Sequence, residues 1–308
     1  MILSTIKFRT FCLGLLFTTV LDLHSYAQQK ISMIAKTFDT EAHRGGRGLM
    51  PENTIPAMLH AVDLGVMTLE MDAMITSDKK VILSHDPYFN HEIATKPDGS
   101  LVTAAEEKNL AIYGMTYEQT RKFDVGMRPH PKFPQQQHLK VQKPLLSELI
   151  DSVEAHCKKK GIPAPFYNIE TKSKPESDNT LHPAPEEFVD LLMAIVNQKG
   201  IAKRTIIQSF DFRTLQIMHK KFPKVQTAML IELFDKRTLD QQIQALGFKP
   251  TIYSPENSLV NASLVEQCHA LGIRILPWTV NDKASIEAFK KLGVDGIISD
   301  YPNLFFEK

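Results

Sequence analysis

Two histidines, His43 and His85, each close an apolar, strand-like stretch, and between them Glu70-Met71-Asp72 sets two carboxylates one residue apart. Arg44-Gly45-Gly46 follows the first imidazole, and Pro51-Glu52-Asn53-Thr54 lies on the way to the carboxylates. A single histidine near a strand end says little in a chain that has 11 of them. Two of them, flanking an alternating carboxylate pair within about forty residues, suggest acid/base chemistry assisted by a metal.

In an extended chain alternate side chains share a face, so Glu70 and Asp72 point the same way. A third carboxylate, Glu170, ends the run Tyr167-Asn168-Ile169, and Lys172 shares its parity. Three convergent carboxylates repel one another unless a cation neutralises them, and an all-oxygen donor set favours Ca²⁺ or Mg²⁺ over zinc. Spacing alone also admits surface ion pairs for Glu70 and Asp72 and a structural, hydrogen-bonded His43. The company of His43 argues the other way. Arg44 can grip an anionic oxygen bidentately, and Gly45 and Gly46 permit close backbone approach. Asn53-Thr54 before Ile55-Pro56 reads as a helix start with proline in the first turn. Glu52 has no structural reason of that kind.

The elements that must carry these residues alternate. Strand candidates are Thr40 to His43, Met67 to Asp72, Phe166 to Glu170, Thr205 to Phe210, Gln226 to Ile231, Thr251 to Ser254, Arg274 to Thr279 and Gly296 to Ser299. Between them lie Thr54 to Leu64, Leu145 to Lys160, Glu186 to Lys199, Phe212 to Lys221, Leu239 to Leu246, Asn261 to Leu271 and Lys283 to Leu292. Each of these has apolar residues at helical spacing. Eight strands alternating with helices predict parallel pairing and a (β/α)8 TIM barrel. A ninth strand, Val81 to Ser84, follows too soon for a crossover helix and is expected to fold back as a hairpin carrying His85. Residues 87–143, rich in Pro, Gly and polar residues, read as a small inserted cap after the second barrel strand.

The first 27 residues read as an export signal: Lys7 and Arg9, an apolar run from Phe11 to Leu21, and small residues at Ser25-Tyr26-Ala27. The run is short for a membrane span, and Cys12 has no lipobox-like setting, so no stable membrane anchor is expected. The mature chain, 28–308, is expected to be exported to a periplasmic or extracellular space. Its cysteines, Cys157 and Cys268, lie in helix-like stretches and read as buried free thiols. Losing the leader removes two of the 36 basic and one of the 35 acidic residues, so 34 of each remain. That balance gives no polyanion-binding surface, so no nucleic-acid partner is expected. No oligomeric state is indicated.

Taken in order, Ala42-His43-Arg44-Gly45, Pro51-Glu52-Asn53-Thr54, Leu69-Glu70-Met71-Asp72, His85-Asp86-Pro87, Asn168-Ile169-Glu170-Thr171-Lys172, Gln208-Ser209-Phe210-Asp211, Trp278-Thr279-Val280-Asn281 and Asp295-Gly296-Ile297-Ile298-Ser299-Asp300 resemble the glycerophosphodiester phosphodiesterases. The resemblance implies a (β/α)8 barrel with an insert after the second strand, hydrolysing a small-molecule glycerophosphodiester to glycerol 3-phosphate and an alcohol. It implies His43 and His85 as the acid/base pair and Glu70, Asp72 and Glu170 as ligands of one divalent cation, Ca²⁺ or Mg²⁺. Arg44 and Lys172 would contact phosphate, Asn53 and Trp278 would lie near the substrate, and Phe210 would form an apolar wall. The chain departs from the family at Tyr88-Phe89-Asn90-His91-Glu92-Ile93-Ala94-Thr95, where many relatives have an Arg-Thr-Thr-Asn-Gly-like run, so head-group preference is open. His91 reads as a surface residue. A phospholipase D-like or lysophospholipase D-like activity on the same barrel is the alternative. A catalytically silent binding barrel would lack a histidine or a metal carboxylate, and none is missing.

Overall fold

The computed structural model describes residues 38–307. The leader expected over 1–27 lies outside them. Nine strands form one sheet: β1 (Asp39–Ala42), β2 (Thr68–Ile75), β3 (Val81–Leu83), β4 (Phe166–Thr171), β5 (Thr205–Ser209), β6 (Gln226–Ile231), β7 (Ile252–Pro255), β8 (Arg274–Ile275) and β9 (Gly296–Ser299). The spatial order β8-β7-β6-β5-β4-β2-β1-β9 is parallel throughout, and β3 pairs antiparallel with β2 outside it. Backbone bonds from Asp295 to Ile275 (3.0 Å) and from Val280 to Ile298 (3.0 Å) bridge the remaining seam between β8 and β9. The result is the eight-stranded barrel, with the expected hairpin as an excursion from its second strand.

The helices are α1 (Ile55–Leu64), α2 (Tyr117–Thr120), α3 (Leu146–Lys160), α4 (Pro185–Gln198), α5 (Phe212–Lys221), α6 (Leu239–Leu246), α7 (Ala262–Ala270) and α8 (Lys283–Leu292). Side-chain caps start five of them: Thr54, where the sequence predicts a helix start, and Asp211, Thr238, Asn261 and Asp282 each accept a backbone N–H from the first turn. Cys157 and Cys268 are buried and free, in α3 and α7.

Two expected boundaries differ for physical reasons. β2 runs on to Ile75 because β3 gives its outer residues partners, Ala73 with Leu83 and Ile75 with Val81. β8 stops at Ile275 instead of reaching Thr279, since Pro277 has no N–H to give a ladder.

The barrel interior is divided. Ile206, Ala228, Ile252 and Leu276 pack as a buried apolar cluster on the β5 to β8 side. On the β1, β2, β4 and β5 side the buried inward residues are polar: Asp39, Glu41, Thr68, Glu70, Asn168 and Gln208. Asn168 donates to Glu41 (2.8 Å) and to Gln208 (3.1 Å), and Gln208 donates on to Glu70 (2.8 Å). Polar groups removed from water must find partners, and this chain of amides supplies them up to the carboxylates at the strand ends.

Residues 87–143 hold their own apolar cluster. Phe89, Ala94, Val102, Ile112, Tyr117, Phe123 and Val125 pack on Met74 of β2 and Ile82 of β3. The Phe89 and Phe123 rings stack with centroids 3.9 Å apart. The far end of this segment returns over the β1 loop, where Gln137 N–H meets the Leu49 carbonyl (2.8 Å) and the Gln136 amide meets that of Arg47 (2.7 Å).

Candidate active site

The parallel strands bring their C-terminal ends to one rim, and there β2 and β4 lie in register with Asp72 opposite Glu170. Glu70, Asp72 and Glu170 each offer a carboxylate oxygen, and the three lie within 4.8 Å of one another, all buried. Each carboxylate is held by a donor of the protein. The Arg44 backbone N–H donates to Glu70 at 2.7 Å and the Gln208 amide to its other oxygen. Asn53 donates to Asp72 Oδ2 at 2.8 Å while its own carbonyl accepts the Asp72 N–H, and Lys172 reaches Glu170 at 2.8 Å. Donors of this kind fix the orientation of metal-binding carboxylates.

The electrostatics fit a cation. Burial, Asp72 and Glu170 hold the Glu70 carboxyl well above its usual range, and burial also raises Glu170 against the pull of Lys172. Burial works against charge on Asp72 as well, yet Arg44, His85, Lys172 and the Asn53 amide keep it ionised, well below the usual range. Around the cluster stand six carboxylates, Glu52, Glu70, Asp72, Asp86, Glu170 and Asp300, against four permanent cations, Arg44, Arg47, Lys143 and Lys172. Acidic groups outnumber cations there, and the three carboxylates, a hard oxygen set, could hold a metal ion.

The imidazoles flank the cluster. His43 sits in a tight turn at the end of β1, its Nδ1 donating to Asp300 at 2.5 Å and its Nε2 4.0 Å from Glu70. Burial pushes its imidazole down to about 4, opposed by Asp300, so the ring is neutral near pH 7 with its free lone pair toward the carboxylates. Asp300 is fixed in turn by Arg47 Nε (2.7 Å) and by the Asn281 amide (2.7 Å). His85 lies beyond β3 on the turn into residues 87–143, a third exposed, with Nδ1 toward Asp86 Oδ1 at 3.2 Å. The Asn90 amide holds the other Asp86 oxygen at 2.7 Å.

The turn around His43 needs special backbone. Arg44 and Asn53 are in the left-handed region (φ 52° and 56°), and a Cβ on Gly45 would stand 2.8 Å from that of Ala57. Strain of this sort persists where surrounding structure over-determines it. Here it aims the Arg44 N–H at Glu70 and the Asn53 amide at Asp72.

The structure brings together all five residues expected to do chemistry. Arg44 departs from expectation in one respect: its Nη1 already meets both oxygens of Glu52 (3.1 Å each), so its fork is partly engaged within the protein. That pair is the structural reason for Glu52 that the sequence does not show. Asn53, expected near the substrate, clamps Asp72. Phe210 and Trp278 meet edge to face across the rim with centroids 5.5 Å apart. His91 is pinned to Glu107 at 2.7 Å and half-exposed, a surface residue as expected. Asp300 and Gln208 stand in the quoted motifs without a role, and Arg47 and Lys143 lie outside them. Asp300 had a usable signal, since it directly follows an apolar strand just as Glu170 closes one. No helix among the described residues is long and apolar enough to cross a membrane.

The model of the glycerophosphoryl diester phosphodiesterase family matches residues 43–304. A glycerophosphodiester phosphodiesterase of Caldanaerobacter subterraneus subsp. tengcongensis is 28% identical over 263 residues, 85% of this chain and 93% of that one. A solved structure from Silicibacter pomeroyi DSS-3, carrying a provisional glycerophosphoryl diester phosphodiesterase name, is 30% identical with a TM-score of 0.78. It covers 87% of this chain and 92% of its own. An Oleispira antarctica phosphodiesterase, solved with the product sn-glycerol-3-phosphate, shares the fold at 20% identity and a TM-score of 0.67, over 86% of this chain and 94% of its own.

Proposed function

The chain belongs to the glycerophosphoryl diester phosphodiesterase family, and from that membership we propose how it hydrolyses glycerophosphodiesters to glycerol 3-phosphate and an alcohol. The observation that carries the mechanism is the convergence of Glu70, Asp72 and Glu170 between two carboxylate-backed imidazoles. Glu70, Asp72 and Glu170 would hold the divalent cation, Ca²⁺ or Mg²⁺. Bound there, it supplies Lewis-acid polarisation of the nonbridging phosphoryl oxygens. Lys172 and the part of Arg44 not engaged by Glu52 face the same oxygens and offset the charge that gathers on them. Phe210 and Trp278 form the apolar side of the rim, against the carbon skeleton of the substrate.

We assign His43 as general base. Its Nδ1–H is held by Asp300, so the Nε2 lone pair is presented toward the cluster, and Asp300 stabilises the imidazolium formed when that nitrogen takes a proton. His85, more exposed and backed by Asp86, is the general acid that gives a proton to the departing alkoxide. The proton taken by His43 comes from water or from the substrate's own glycerol hydroxyl. In the second case a cyclic glycerophosphate forms first and is opened by water. The leader-like residues 1–27 favour a site of action outside the cytoplasm, which N-terminal sequencing of exported protein tests.

The assignment is tested with two substrates that differ in leaving group, glycerophosphocholine and a 4-nitrophenyl glycerophosphate. H85A is expected to lose about 10²- to 10⁴-fold in kcat on the choline diester and far less on the nitrophenyl ester, which needs no acid; H43A loses on both. Equal turnover by wild type and H43A overturns the base assignment. Turnover of lysophosphatidylcholine in preference to glycerophosphocholine would support the lysophospholipase D-like alternative instead.

A further inference from the structure

Lys143 enters the site from the end of the inserted segment, just before Pro144, and is 5% exposed. Its Nζ donates to Ser84 Oγ at 2.8 Å and stands 5.5 Å from the centre of the Phe89 ring. That hydroxyl is its only hydrogen-bond partner among the described residues, and it joins no ion pair there. An ammonium removed from water and left without a carboxylate partner is destabilising, so its position asks for a reason. Burial draws its pKa below the ordinary value, while Glu52, Asp86 and Asp72 favour its charge from a distance and Arg44 opposes it.

Ser84 is the hub of what Lys143 touches. Its hydroxyl donates to the Asp86 carbonyl at 2.6 Å, and its backbone N–H donates to the Asp72 carbonyl at 2.9 Å. The Pro144 carbonyl, next in chain to Lys143, accepts from Leu83 N–H at 3.1 Å. The turn that carries His85 is therefore tied to the metal-binding strand by its backbone and to the end of the insert by its one hydroxyl. His85 stands on this turn and on no regular element; beyond it the Pro87 carbonyl accepts from the Ile112 N–H at 2.8 Å, which leaves the Ser84 to Asp86 stretch to be held by Ser84.

We propose that Lys143 is a positioning residue for His85: by holding the Ser84 hydroxyl against the Asp86 carbonyl it fixes the Ser84–Asp86 turn, and with it the direction in which the His85 imidazole faces the carboxylate cluster. The inference rests on the phosphodiesterase reading above and adds a residue to it. Misplacement of a catalytic group by about 1 Å can cost about 10²-fold in rate without loss of binding.

The test compares wild type, K143M, S84A, the double variant and H85A by kcat and KM on glycerophosphocholine and on the 4-nitrophenyl ester, with melting temperature beside them. K143M should lose about 10- to 100-fold in kcat on the choline diester with KM little changed. It should follow the leaving-group pattern of H85A, and the double variant should lose no more than the worse single. S84A removes the same tie while leaving the cation in place, so it keeps the test if K143M fails to fold. An effect of K143M on KM alone, a loss that ignores the leaving group and departs from the H85A pattern, or wild-type kcat in both single variants overturns the proposal. Wild-type turnover with unaltered variants sinks this inference only; a wild type that releases no glycerol 3-phosphate sinks the functional reading itself.

Discussion

At the scale of single residues, the site rests on buried groups whose charge is set by neighbours. Glu41 shows this below the site: it is fully buried, its Oε2 accepts from the Asn168 amide at 2.8 Å, and its Oε1 has no partner among the described residues. Burial, with the nearby Asp39, raises its carboxyl to about 8 from an ordinary 4.5, so the folded protein keeps a proton that the unfolded chain releases. Folding is then fully favoured below 4.5 and loses free energy as pH rises toward 8. E41Q, which cannot ionise, should gain on wild type by up to about 1.4 kcal/mol per pH unit across that window, read from urea midpoints. A stability difference that is flat in pH contradicts a protonated Glu41. The residues of the proposed site, His43, His85, Glu70, Asp72 and Glu170, could be picked out from the sequence because each ends or alternates along an apolar strand, and the fold brings them to one rim. Their supports were harder to see: Asp300 had a signal at its strand end, yet it meets His43 only because β9 closes the barrel on β1, and Lys143 reaches Ser84 only through the folded insert.

At the scale of elements, the barrel strands and helices were legible to within a few residues, since the Asn53-Thr54 start and short apolar runs alternating with helical spacing mark them locally, while the end of β8 was not. Residues 87–143 carry no such period. What organises them is a set of apolar side chains at irregular spacing, foremost Phe89 stacked on Phe123, packed on Met74 and Ile82 of the β2–β3 hairpin. This segment follows directly on His85-Asp86 and ends at Lys143, so its packing and the placement of the second imidazole belong together. F89A removes a fully buried ring at that junction. It should cost about 3–5 kcal/mol by denaturant titration, as large-to-small core changes do. It should also lower kcat on glycerophosphocholine. Loss of stability with undiminished turnover by the folded fraction would show that the cluster does not govern His85.

At the scale of the molecule, the barrel is asymmetric by design of its sequence: Asp39, Glu41, Thr68, Glu70, Asn168 and Gln208 make one side of the interior polar, and the cluster of Ile206, Ala228, Ile252 and Leu276 fills the other. The apolar half gives the burial that holds the barrel closed, and the polar half leads by way of Asn168 and Gln208 to three carboxylates that could hold a metal ion, whose charge the proposed mechanism has one divalent cation balance. The account stands or falls on that charge. The direct measurement is release of glycerol 3-phosphate from glycerophosphocholine by the purified protein, first as prepared, then after chelation and dialysis, then with Ca²⁺ or Mg²⁺ returned. Activity should vanish on chelation and return with one of the two ions. Undiminished turnover in the chelated protein would contradict it.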